Sequence, residues 1–261
     1  MTMAHPVVKT LAAALLAVGL GTGAAQAAGE AKHPKDVEWS HSGPFGTYDR
    51  PSVQRGLQVY QQVCASCHGL RFVAFRNLQA IGFSEPQVKA IAAEYTITDG
   101  PNDAGDMFER PGKDFDYFPE PFPNDKAAAA ANGGVAPPDL SLMSKARPNG
   151  DNYLYSLLTG YGESETAGEE HGCSATNYYN PYFSGGCIAM PPPLAEGLVE
   201  YADGTEATPE QMAHDVTAFL AWAAEPKMEE RKQLGWKVML FLIVLSVLLY
   251  LAKRQIWGRL H

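Results

Sequence analysis

Cys64-Ala65-Ser66-Cys67-His68 is the stretch of this 261-residue chain whose residue types and spacing most directly imply chemistry. Two thiols three positions apart can add to the two vinyl groups of a haem, and the imidazole that follows then falls beneath the iron. This is the c-type haem attachment pattern, with Cys64 and Cys67 as thioether attachments and His68 as proximal ligand. The same thiols could instead form a thioredoxin-like redox pair or half of a zinc site. A redox pair does not need the adjoining histidine. A zinc site would draw on Cys173 and Cys187, the only other cysteines, whose spacing fits no second Cys-x-x-Cys knuckle.

A c-type electron carrier needs a sixth iron ligand from elsewhere in the chain. Of the eight methionines, Met1 and Met3 sit in an N-terminal export-like segment, Met212 in a helical stripe, Met228 beside an apolar span and Met239 within it. Met107, Met143 and Met190 remain. Met190 stands in Ile188-Ala189-Met190-Pro191-Pro192-Pro193-Leu194, where consecutive prolines stiffen the backbone and remove donors. A rigid loop can hold a thioether against iron, and such a soft ligand raises a haem's reduction potential. The alternative is that Met190 fills the core, as methionine commonly does.

Elements must position these groups. Pro51 can open a helix in which Val53, Leu57, Tyr60 and Cys64 recur at helical spacing, so a helix runs into the motif. Gly56 inside it implies a close crossing. The expected partner is Pro209 to Ala224, where Thr208 and Gln211 suggest a capping box and Met212, Val216, Phe219, Leu220 and Ala223 form one apolar stripe. The Gly56-x-x-x-Tyr60 pattern resembles the N-terminal helix of class I cytochromes c. The expected fold is mainly α, a class I cytochrome c-like core with long irregular insertions at 97–150 and 162–208. No secondary structure is assigned within 97–150.

At the N-terminus, Lys9, the apolar run Leu11 to Leu20 and Ala25-Gln26-Ala27 make a secretory signal peptide, residues 1–27. Near the other end, Val238 to Ala252 is apolar apart from Ser246 and Tyr250, and reads as a single transmembrane anchor, 233–254, with a short cytoplasmic tail, 255–261. A buried core helix is the competing reading. Export would put residues 28–232 in the periplasm of a bacterium, anchored to the inner membrane. In that oxidising compartment Cys173 and Cys187 are expected to form a disulfide, closing a loop of about fifteen residues worth about 3 kcal/mol in the chain-entropy account, and clipping the Met190 loop. Formal net charge is −9, which repels nucleic acid and attracts basic partners. Asp99, Asp103, Asp106 and Glu109, and Glu163, Glu165, Glu169 and Glu170, form acidic clusters that could steer a basic cytochrome c, or could simply be solvated loops.

Beyond the haem motif, ordered segments make the chain similar to the cytochrome c1 family over nearly its whole mature length. They include Arg55-Gly56-Leu57-Gln58-Val59-Tyr60, Asp99-Gly100-Pro101-Asn102, Arg110-Pro111-Gly112-Lys113, Asp116-Tyr117-Phe118-Pro119 and Ala131-Asn132-Gly133-Gly134. Further along come Pro137-Pro138-Asp139-Leu140-Ser141, Ala146-Arg147, Leu157-Leu158-Thr159-Gly160-Tyr161, Asn180-Pro181-Tyr182-Phe183 and Trp222-Ala223-Ala224-Glu225-Pro226. The resemblance implies one covalent haem c, with His68 and Met190 as axial ligands and with Asn132, Arg147 and Tyr153 lining the haem and contacting its propionates. It implies a respiratory electron carrier with no bond-making active site of its own, placed between the Rieske iron–sulfur protein and a soluble or membrane-tethered cytochrome c, beside cytochrome b. The other readings are a membrane-anchored cytochrome c subunit of a terminal oxidase, a haem enzyme or sensor with an open sixth position, and a zinc-dependent structural module.

Overall fold

The computed structural model describes residues 31–161 and 171–259. The signal peptide and the cluster Glu163, Glu165, Glu169 and Glu170 lie outside the described residues.

Helix α1, Arg50–Gln62, carries Pro51 in its first turn, where a missing N–H costs nothing. Its apolar face buries Val53, Leu57, Val59 and Tyr60. After it come 3-10 turns at Cys64–Ser66 and Phe75–Ile81, then α2 at Glu85–Ala93. Short helices α3, Asp125–Ala131, α4, Met143–Ala146, and α5, Gly150–Leu158, follow, and α6 runs from Pro209 to Ala224.

The expected crossing of α1 and α6 is present. A Cβ on Gly56 would lie 2.0 Å from the Asp215 carbonyl oxygen, so only glycine permits this approach. The Tyr60 and Phe219 rings meet at 5.8 Å between centroids, and the whole stripe Met212, Val216, Phe219, Leu220 and Ala223 is buried. The Thr208 hydroxyl caps α6 by accepting from the Gln211 amide at 3.1 Å. The reciprocal arm of a capping box is replaced, because the Gln211 side chain donates instead to Asp215.

The 97–150 stretch is more ordered than its sequence suggested. Strands β1, Thr96–Asp99, and β2, Phe108–Pro111, pair antiparallel. Arg110 ties them down by pairing with both Asp99 and Asp116. Further on, β3, Tyr178–Tyr179, pairs with β4, Cys187–Ile188. The sulfurs of Cys173 and Cys187 lie 2.02 Å apart, beside that ladder.

Helix α7, Met228–Trp257, is long and apolar enough to cross a membrane. At 1.5 Å per residue it reaches about 45 Å, against a hydrocarbon core of about 30 Å. None of its most apolar window is buried within the chain, which rules out the core-helix reading. Its first turns belong to the globular part. Glu229 pairs with Arg50 at 2.7 Å and accepts from the Tyr48 amide at 2.8 Å. Lys232 donates to the His41 and Gly46 carbonyls, and Phe45 packs on Trp236.

Candidate haem site

The end of α1 converts into the cysteine turn through one carbonyl. The amides of Cys67 and His68 both donate to the Cys64 oxygen, at 3.1 and 2.9 Å. This tight turn presents both thiols and the imidazole from a single structural unit. Cys64 and Cys67 are free, not bonded to one another. Burial pushes the Cys64 thiol up to about 12.

His68 is oriented from two sides. Its carbonyl accepts from the Tyr60 hydroxyl at 3.1 Å, and its Nδ1 lies 2.7 Å from the Pro138 carbonyl oxygen. A carbonyl can only accept, so Nδ1 carries the proton and Nε2 keeps its lone pair. Burial lowers the His68 pKa, against the raising effects of the Pro138 bond and Asp139, which favours the neutral ring that a metal ligand requires.

Pro138 is held there by a strap. Leu140 donates its amide to the Gly69 carbonyl at 2.9 Å, and the Asp139 carboxylate accepts from the amides of Arg71 and Ser141. The Ser141 hydroxyl accepts from the Phe72 amide at 3.1 Å. Residues 138–141 are thus laced to 69–72. The residue types of this segment carry no signal of the role, because its decisive group is a backbone carbonyl.

The three methionines left open by the sequence separate by environment. Met107 is exposed, Met143 is buried in the core and Met190 is half-buried in its proline loop. The backbone of Met190 is anchored by the Tyr161 hydroxyl, which donates to its carbonyl at 3.1 Å. Burial raises the Tyr153 pKa, against the lowering effect of the nearby Arg147 guanidinium, and Tyr161 follows the end of the same helix α5. Arg147 itself is exposed, with Nη1 donating to the Ala146 carbonyl. Asn132 sits at the C-terminus of α3 and donates to the Ala128 carbonyl, so its described contacts are local. One continuous apolar core reaches Cys64, Leu140, Met143, Tyr153 and Leu194, linking the cysteine turn, the strap, α5 and the loop after Met190.

The donor set fits a covalently bound haem. Two free thiols precede a neutral imidazole whose Nε2 is available, and the chain behind them is apolar. Among the described residues there is no group of three or more His, Cys, Asp or Glu side chains able to hold a metal ion.

Residues 39–260 match the sequence model of the Cytochrome C1 family. The chain belongs to that family. As a cytochrome C1 family member it is 52% identical to "Cytochrome c1" of Rhodospirillum rubrum, over 95% of this chain and 96% of that protein. It is 51% identical to "Cytochrome c1-2, heme protein, mitochondrial" of Solanum tuberosum, over 88% and 87% of the two chains. It is also 49% identical, over 97% of its length, to "Cytochrome b/c1" of Bradyrhizobium diazoefficiens, of which it spans 40%. The cytochrome C1 assignment agrees with the mainly helical fold and, among the described residues, with one C-terminal helix long and apolar enough to cross a membrane.

Proposed function

We propose that this chain is the monohaem c subunit of a cytochrome bc1 complex, carrying single electrons from the Rieske iron–sulfur protein to a cytochrome c. The observation that carries the reading is the cysteine turn, with two free thiols and a histidine whose Nδ1–H is spent on Pro138, in a cytochrome C1 chain. A bound haem c supplies a one-electron ferric/ferrous couple. Cys64 and Cys67 fix its position covalently, and His68 offers Nε2 while the Pro138 carbonyl makes that nitrogen a better donor. Met190 would supply the second donor, a thioether that favours the reduced metal. Arg147, Tyr153 and Asn132 provide hydrogen-bond donors for the propionates.

The relative named cytochrome b/c1 supports assembly with cytochrome b. Cleavage after Ala27 and a membrane-spanning α7 would hold the haem domain in the periplasm with the C-terminus cytoplasmic. The disulfide between Cys173 and Cys187 would brace the chain just before the Met190 loop. Asp103, Asp106 and Glu109 are exposed and available to a basic cytochrome c, whereas Asp99 is committed to Arg110. Steering of this kind makes the reaction with cytochrome c slower at high ionic strength.

The test is affinity purification of the tagged chain from solubilised membranes. Co-purification with cytochrome b and a Rieske protein, together with reduction of its haem c by a quinol, is expected. Co-purification with a haem–copper oxidase and no cytochrome b would contradict the reading.

A further inference from the structure

The loop that carries Met190 cannot secure itself. Pro191, Pro192 and Pro193 have no backbone N–H, so the chain beyond Met190 offers three carbonyls in succession with no donor between them. It must be held from outside, and α5 with the residues after it is the platform. The buried Asn180 side chain donates to the Leu157 carbonyl at 2.8 Å. Gly160 lies so close to Tyr182 that a Cβ would stand 2.4 Å from its ring. Tyr161 then donates its hydroxyl to the Met190 carbonyl itself. The first two of these contacts fasten the segment ahead of β4, and the third falls on Met190, the residue proposed to ligate.

The geometry points to Tyr161 as a positioning residue for the Met190 thioether: its hydroxyl fixes the carbonyl plane of Met190 and so limits where the sulfur can sit. This deepens the haem reading above and rests on it. Tyr161 does not touch the iron; it acts through Met190.

The experiment compares full-length, membrane-extracted wild type, Tyr161→Phe and the control Tyr155→Phe, whose ring packs on Trp39 away from the loop. Phe retains the ring and removes only the donor, so covalent haem on a denaturing gel should match wild type. One hydrogen bond of ordinary net strength shifts an equilibrium by about five-fold. Tyr161→Phe should therefore increase the fraction of reduced protein that binds carbon monoxide by about that factor and weaken the methionine-to-ferric-iron absorption band, with Tyr155→Phe unchanged. An intact band and wild-type carbon monoxide behaviour in Tyr161→Phe would overturn the inference, as would loss of covalent haem, which would make Tyr161 a folding residue. A wild type that binds carbon monoxide fully would instead defeat the underlying six-coordinate reading.

Discussion

His68 shows how much of the site is decided by one proton. With Nδ1–H given to the Pro138 carbonyl at 2.7 Å, the ring cannot rotate and cannot present the wrong nitrogen. Among the described residues, the side-chain bond that reaches Met190 falls on its carbonyl and not its sulfur, so its place depends on its backbone. Replacing it tests the axial assignment directly. Met190→Leu keeps the volume of an apolar side chain and removes the sulfur. The reduced variant is expected to bind carbon monoxide almost stoichiometrically and to lose the methionine-to-iron band, while wild type binds little; both are read by difference spectroscopy. Cys64, Cys67 and His68 were legible in sequence because their chemistry is local and depends on side-chain identity. Pro138 was not, since any residue has a carbonyl and only the fold delivers this one to the imidazole. Tyr161 lies in a segment similar to the family, but its bond also ends on a backbone oxygen, a kind of contact that residue types do not encode.

The crossing of α1 and α6 is the element on which the cysteine turn rests. Beside Gly56, the fully buried Asp215 carboxylate accepts from Ser52, Arg55 and Gln211, and Arg55 also reaches Asp203. Burial alone would raise the Asp215 pKa, but hydrogen bonds from His214, Arg55, Ser52 and Gln211 outweigh it and hold the carboxyl down at about 2. A carboxyl depressed in the folded state stabilises the fold above its ordinary pKa near 4, and that stability is lost as pH falls through about 2. The contribution is about 2 kcal/mol. Asp215→Asn leaves Arg55 partly uncompensated and should cost about 3 kcal/mol at neutral pH, near the lower end for a broken buried pair because Asp203 remains. It should also flatten the acid limb between about pH 4 and pH 2, followed by tryptophan fluorescence during urea unfolding. The crossing was legible from a glycine on an otherwise apolar helix face and from the stripe on its partner. The β1–β2 hairpin was not, because each strand has only four residues, is largely exposed and carries a single apolar side chain besides proline; Arg110, paired across the turn with Asp99 and onward to Asp116, supplies what the apolar pattern does not.

Over the whole molecule, the haem domain and the apolar helix share a structured joint. The Tyr48 hydroxyl donates to the carbonyls of Ala221 and Glu225, where α6 ends, while Glu229 and Lys232 on α7 hold the segment from His41 to Arg50. Hydropathy located the span but not this joint, because its contacts join residues nearly two hundred positions apart. A soluble fragment ending at Lys227 would lose the Glu229 and Lys232 contacts, whereas one ending at Lys237 would keep them. The shorter fragment should melt about 5 °C lower, as expected for roughly 2 kcal/mol of lost hydrogen bonds and ion pairing in a domain of this size, measured by differential scanning calorimetry. The central claim is covalent haem at Cys64 and Cys67, and a haem-staining gel of the fully denatured chain from membranes tests it most directly. The account predicts that haem stays with the band of the wild-type chain and is lost from the Cys64→Ala, Cys67→Ala double variant; a colourless wild-type band from cells with intact export and haem maturation would contradict it.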